Sequence, residues 1–147
     1  MPKVMKLLFL SDTHNDHPKI TQSYDIVCHL GDANNRTSGK KELLDFFDWF
    51  KQIPAKHKIF VPGNHDLYLY NNLTKVMPLK PHDLTILINQ SINIDGISFY
   101  GSPATKTIDL NSLQMQGFSG DADFRKKNFS TIPSNLDFLL THLHIKF

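Results

Sequence analysis

Four short apolar runs, each ending abruptly in residues able to grip a cation or a phosphate, constrain this chain more than anything else in it. Lys6–Leu10 is closed by Ser11-Asp12-Thr13-His14, and Asp25–Leu30 by Gly31-Asp32. Lys58–Val61 is closed by Pro62-Gly63-Asn64-His65-Asp66, and Leu136–Leu140 by Thr141-His142. Runs this short, rich in branched apolar residues and punctuated by Gly, Pro, Asp and Asn, predict strands of a sheet covered on both faces. Between the second and third runs, Leu43, Phe46, Phe47, Phe50 and Ile53 form one stripe at helical spacing. That stripe predicts an amphipathic helix over Lys40–Ile53, stopped by Pro54. Strand–helix–strand is a βαβ unit, so the flanking strands are expected to run parallel. Asp95-Gly96, between Ser91–Ile94 and Ile97–Tyr100, is a strong hairpin signal. Together with Leu84–Ile88 it predicts an antiparallel portion, as in a second sheet. Residues 101–135, with scattered Gly, Ser, Asn and Pro, read as loop-rich. The fold class expected is α/β.

Composition excludes several functions. A length of 147 residues suits a single domain over 1–147, large enough to bury a core without staples. Sixteen basic side chains against 14 acidic ones leave a formal net charge of +2 and no long basic stripe, so no nucleic-acid duplex is expected as partner. No apolar run approaches the ~20 residues a membrane span needs. The start, Met1–Leu10, has only a short apolar stretch followed by no small-residue cleavage site, and reads as a strand rather than a signal peptide. One cysteine, Cys28, excludes an internal disulfide framework and fits a reducing compartment; a cytoplasmic location is expected.

In open α/β sheets, ligands bind beyond the carboxyl ends of the strands. If the four apolar runs are parallel neighbours, Asp12, His14, Asn64, His65, Asp32 and His142 converge on one rim. Asp12 and His14 stand at i and i+2, so on an extended backbone they point to the same side. Carboxylate, imidazole and amide oxygen donors together suit Mn²⁺, Fe²⁺, Zn²⁺ or Mg²⁺. Asp-x-His and Gly-Asp are weak signals alone. Gly63-Asn64-His65-Asp66 is strong, since a specified tetrapeptide arises by chance on the order of once in a thousand chains of this size.

In this order the motifs resemble the calcineurin-like metallophosphoesterase superfamily, whose pattern is Asp-x-His, Gly-Asp, Gly-Asn-His-(Asp/Glu), a strand-terminal His and finally Gly-His-x-His. Asp12-Thr13-His14, Gly31-Asp32, Gly63-Asn64-His65-Asp66 and His142 match the first four. Leu43–Asn64, Tyr100-Gly101-Ser102-Pro103 and Ile132-Pro133 are similar more narrowly to the metallophosphoesterase-domain-containing (class III phosphodiesterase) subgroup. The resemblance covers about residues 5–142. The Gly-His-x-His element is absent. Where the subgroup continues Thr-His into Gly-Pro-Pro, this chain has Leu143-His144-Ile145-Lys146-Phe147. The resemblance therefore implies an αββα sandwich cut short after its fourth motif, a single incomplete domain.

It further implies two divalent metal ions, Mn²⁺ favoured, about 3.5–4 Å apart. Asp12 and His14 would hold the first, Asn64 and His142 the second, and Asp32 would bridge them. His65, beside the metals, would protonate the leaving alkoxide with Asp66 orienting it. The implied activity is hydrolysis of a phosphodiester, a cyclic nucleotide among the options, with a small phosphate ester as substrate. The alternative is a weak or inactive homologue that binds metal and phosphate, or one that needs a partner chain. His144 is a conceivable substitute ligand. An exposed sheet edge left by the missing strands would favour a homo-oligomer.

Overall fold

The computed structural model describes residues 4–107 and 116–142; His144 lies outside them. Three of the expected strands form as read: β1 (Leu7–Leu10), β2 (Tyr24–His29) and β3 (Ala55–Phe60). They lie side by side and parallel, with Leu7 opposite Ile26 and Ile26 opposite His57. Helix α1 (Lys40–Gln52) makes the crossover between β2 and β3. The Glu42 carboxylate accepts the Gly39 N–H at 2.8 Å and so satisfies one orphan donor at the start of α1. Leu43, Phe46, Phe47 and Phe50 are its buried face.

After β3 come two short helices, α2 (Leu67–Asn71) and α3 (Leu73–Val76), and then β4 (Leu84–Ile86). Here the expectation is corrected. β4 does not join the hairpin but pairs parallel with β3, completing a sheet in the order β1-β2-β3-β4. The intervening helices make a crossover connection, which is what a parallel neighbour requires.

The second sheet has three strands, β5 (Gln90–Ile94), β6 (Ile97–Ser102) and β9 (Phe138–Thr141), in that order. β5 and β6 are the expected hairpin, with Asp95 and Gly96 both at positive φ, 52° and 86°, as a two-residue primed turn demands. β9 was expected as the fourth member of the parallel set; it lies instead in this second sheet, parallel to β6. The rim survives the change because the two sheets pack face to face. Alternation along the strands does the sorting. Ile26, Cys28, Ile59, Val61 and Leu87 point from the strands of the first sheet and their extensions into a core shared with Ile94, Phe99 and Leu140 of the second. Val27 and Phe60 point the other way, onto the α1 stripe.

The stretch read as loop-rich contains more order than expected. β7 (Thr105–Lys106) pairs with β8 (Ser119–Gly120), and α4 (Ala122–Phe129) follows. The Asp121 carboxylate caps α4 by accepting the Phe124 N–H at 2.9 Å. None of the residues of α4 is buried, so the helix has no apolar stripe to betray it. It is joined to the outer side of the second sheet by the Asn89–Asn128 hydrogen bond and, just beyond its end, by Tyr100 and Thr131. The layers thus run helix, sheet, sheet, helix. No described helix is long and apolar enough to cross a membrane.

Candidate metal centre

Each of the chemistry-bearing motifs sits just past a strand end, and the two sheets bring those ends to one place. Asp12 and His14 follow β1, Asp32 follows β2, Asn64, His65 and Asp66 follow β3, and His142 follows β9. Donor atoms of His14, Asp32 and His65 lie within 4.8 Å of one another, and so do those of Asp12, Asp32 and His142. Asp32 belongs to both groups. Its Oδ2 is 3.6 Å from His14 Nε2 and 3.3 Å from His142 Nε2, while His14 Nε2 is 3.7 Å from Asp12 Oδ1. The His14 and His65 rings stand edge to face at 5.3 Å. Asn64, 4% exposed, lies in the same loop and donates through its amide to Gln116 Oε1 at 3.4 Å.

This is a rim on which one carboxylate is shared between two imidazole-bearing groups, built from donors that suit divalent cations of intermediate hardness. Residues 5–146 match the family model described as calcineurin-like phosphoesterase. The chain belongs to the calcineurin-like phosphoesterase family. It is 27% identical over 164 aligned positions to UPF0046 protein K07C11.7 of Caenorhabditis elegans, an alignment covering 94% of this chain and 50% of that protein. It is 25% identical over 167 positions to metallophosphoesterase domain-containing protein 1 of Homo sapiens, covering 96% of this chain and 49% of that one. A 26% identity to probable rhamnogalacturonate lyase C of Emericella nidulans covers 95% of this chain but 14% of that protein. The chain thus spans about half the length of the first two of these relatives.

Two features of this phosphoesterase rim fix how its donors point. The His142 Nδ1–H donates to the Leu30 carbonyl at 2.7 Å, which leaves Nε2 facing Asp32. Burial lowers the His142 pKa, but the Asp32 carboxylate overcomes it and raises the imidazole to about 9. Burial likewise works against Asp32, yet His142 and the His65 backbone N–H hold its carboxyl below the ordinary range. In the metal-free protein, then, a proton shared with His142 stands where positive charge is wanted. A divalent cation suits the same donors.

The expected role of Asp66 is corrected. It was expected to orient the His65 ring; instead both of its oxygens accept backbone N–H groups. Oδ2 accepts from Asp32 at 2.9 Å and from Gly63 at 2.7 Å, and Oδ1 accepts from Asn34 at 3.0 Å. The side chain is buried, and burial pushes its carboxyl up to about 6 against the pull of those donors. The orientation that His65 needs comes from its own N–H, which donates to Asp32 Oδ1 at 2.9 Å.

Sequence reading also missed how closely the loops approach. Gly31 sits at φ 100°, where a side chain would be strained, and an added Cβ would come within 2.8 Å of the Gly63 backbone. A Cβ on Gly63 would overlap Asp32 and come within 2.9 Å of His142. The signal was a glycine immediately before Asp32 and before Asn64 in two motifs. Asp12, His14, Asn15 and Asp32 also hold positive φ, at 56°, 45°, 66° and 54°. Short polar side chains tolerate that region better than most, and such strain gathers where function over-determines the backbone.

His29, the last residue of β2, is fully buried. Burial first, then repulsion from His17, His142 and His14, lowers its pKa to about 3, with Asp32 opposing. The folded value lies below the unfolded one near 6.5, so this stability is whole above pH ~6.5 and drains away as pH falls toward 3, at up to about 1.4 kcal/mol per pH unit. Urea midpoints of the metal-free protein are expected to fall between pH 6.5 and 4.5, and His29→Phe is expected to flatten that slope.

Proposed function

We propose that this chain is a metal-dependent phosphoesterase that hydrolyses a phosphodiester, with small esters such as cyclic nucleotides as the substrate class. The observation that carries this reading is Asp32, shared by the Asp12–His142 and His14–His65 groups. Asp12, His14, Asp32, Asn64 and His142 would hold two divalent ions, Mn²⁺ first among those to test. Bound there, such ions supply positive charge for an anionic ester and lower the pKa of a water to near neutrality. The chain supplies the rest. Asp32 and the loop N–H network keep the donors in register, and Leu30 fixes the His142 tautomer. His65, its backbone anchored to Asp32 and its ring beside His14, hands a proton to the departing alkoxide oxygen.

The test is hydrolysis of bis-p-nitrophenyl phosphate with added Mn²⁺. His65→Ala is expected to cost about 10²–10⁴-fold in kcat, the usual contribution of a general acid, while Mn²⁺ binding persists. Equal rates for wild type and variant would defeat the role of His65. A wild type that binds Mn²⁺ without turnover would favour the alternative, a metal- and phosphate-binding homologue.

The same reading includes self-association. Among the described residues no strand covers the outer edge of β9. Leu139 on it is 37% exposed, and Phe9 on β1, 5.9 Å from Phe138, is 43% exposed. Apolar side chains exposed beside a sheet edge favour pairing with another copy. Light scattering is expected to show a mass that rises with concentration and falls back in Leu139→Lys; a concentration-independent monomer would remove the idea.

A further inference from the structure

An imidazole with no exposed surface sits in an aromatic box that a phenyl ring would fill as well. His29 meets Phe46, Trp49, Phe50 and Phe60 edge to face, with centroids at 5.3, 6.4, 6.2 and 5.6 Å. Burying a polar ring there is unfavourable unless both nitrogens are satisfied, and both are. Nδ1 accepts the Gly31 N–H at 3.3 Å. That bond leaves the proton on Nε2, which donates to Thr13 Oγ1 at 3.0 Å. The two partners are not arbitrary core groups. Thr13 lies between Asp12 and His14, and Gly31 immediately precedes Asp32, so one ring grips both loops that carry the shared carboxylate and its neighbours.

Those loops are also joined directly. The Asp12 N–H donates to Gly31 O at 2.9 Å, His14 N–H to Asp32 O at 3.0 Å, and Asn15 N–H to Ala33 O at 2.9 Å. Four of the residues involved hold positive φ without being glycine, a conformation that needs outside support. We propose that His29 is a positioning residue which, as the neutral Nε2–H tautomer, clamps the Asp12-Thr13-His14 loop against the Gly31-Asp32 loop and so sets the spacing of the Asp12, His14 and Asp32 donors. It touches neither substrate nor ion, and it differs from a packing residue in that its two hydrogen bonds, not its volume, do the job. The proposal rests on the metal-centre reading for its consequence in metal affinity, though not for the clamp itself.

The experiment therefore has two arms. In metal-free protein, hydrogen exchange at the Asp12, His14 and Asn15 amides is expected to run about tenfold faster in His29→Phe and in Thr13→Val, with amides of β2 and β3 unchanged. Thr13 is only part-buried, so Thr13→Val keeps the test open should His29→Phe fail to fold. His29→Gln, which retains an N–H at the reach of Nε2, is expected to recover part of the protection. In the second arm, Mn²⁺ affinity by calorimetry is expected to fall about 10–100-fold in each single variant, the range typical of groups that orient metal ligands. The double variant is expected to lose no more than His29→Phe alone, because Thr13 acts only through the bond that His29→Phe has already removed. Unchanged exchange in folded Thr13→Val, or losses that multiply in the double variant, would overturn the clamp. A wild type that binds no Mn²⁺ would overturn the metal reading, and the exchange arm would then decide the clamp by itself.

Discussion

Asp32→Ala is expected to abolish Mn²⁺-dependent hydrolysis of bis-p-nitrophenyl phosphate, with a loss well beyond the 10–100-fold that groups behind a metal ligand typically cost. No other described side chain belongs to both donor groups. Its Oδ2 faces His14 and His142, and its Oδ1 accepts the His65 N–H, so truncation removes the common donor and unhooks the third loop together. Asp32→Asn separates the two effects, because its carbonyl oxygen can still accept from His65 while the negative charge is gone. Calorimetry should show Mn²⁺ binding weakened in both variants, and hydrogen exchange at His65 should rise only in Asp32→Ala. If Asp32→Ala turned over at the wild-type rate, the shared-carboxylate centre would be wrong.

The largest stability effect is expected at a neighbouring carboxylate. Asp66→Ala leaves three backbone N–H groups, of Asp32, Asn34 and Gly63, without their acceptor in a region closed to water. An orphaned buried donor costs about 1–3 kcal/mol, and relaxation or an entering water recovers part of it, so a total of about 3–5 kcal/mol is expected. That is a large share of the ~5–15 kcal/mol by which domains are ordinarily stable. Asp66→Asn should fall between, since its amide oxygen can serve the two donors that share Oδ2 while its NH₂ opposes the Asn34 N–H. Denaturant midpoints of the metal-free proteins measure this directly. A midpoint for Asp66→Ala equal to wild type would mean that the three loops are held by something else.

The two carboxylates show what a sequence can and cannot reveal. The place of Asp32 on the rim was legible because a carboxylate closing an apolar run, in step with three other such closures, has few other reasons to be there. Asp66 was placed in the right loop and given the wrong work. Its partners are main-chain groups from other loops, and main-chain N–H groups leave no trace in residue type. The same contrast holds for the fold. β1, β2, β3, α1 and the Asp95-Gly96 hairpin were readable from local periodicity and turn chemistry. The sheet memberships of β4 and β9 were not, because an apolar run says that a strand is buried and not which strand lies beside it. α4 escaped for a simpler reason: without a buried face it has no pattern to read. His142 reached the rim in spite of the wrong sheet assignment, since strand ends of stacked layers meet at the same border.

The donor residues also appear along the chain in the order in which a ribosome would release them, from Asp12 to His142. The last arrives on β9, whose only neighbour among the described strands is β6, itself far downstream of the first sheet. Long-range pairings of this kind form late because closing the intervening chain comes before any reward. A nascent or refolding chain would therefore hold the first sheet well before it could hold the full donor set. Ion capture would then mark the final folding step, and a chelator added during refolding would spare the early phases while erasing the signal of the last.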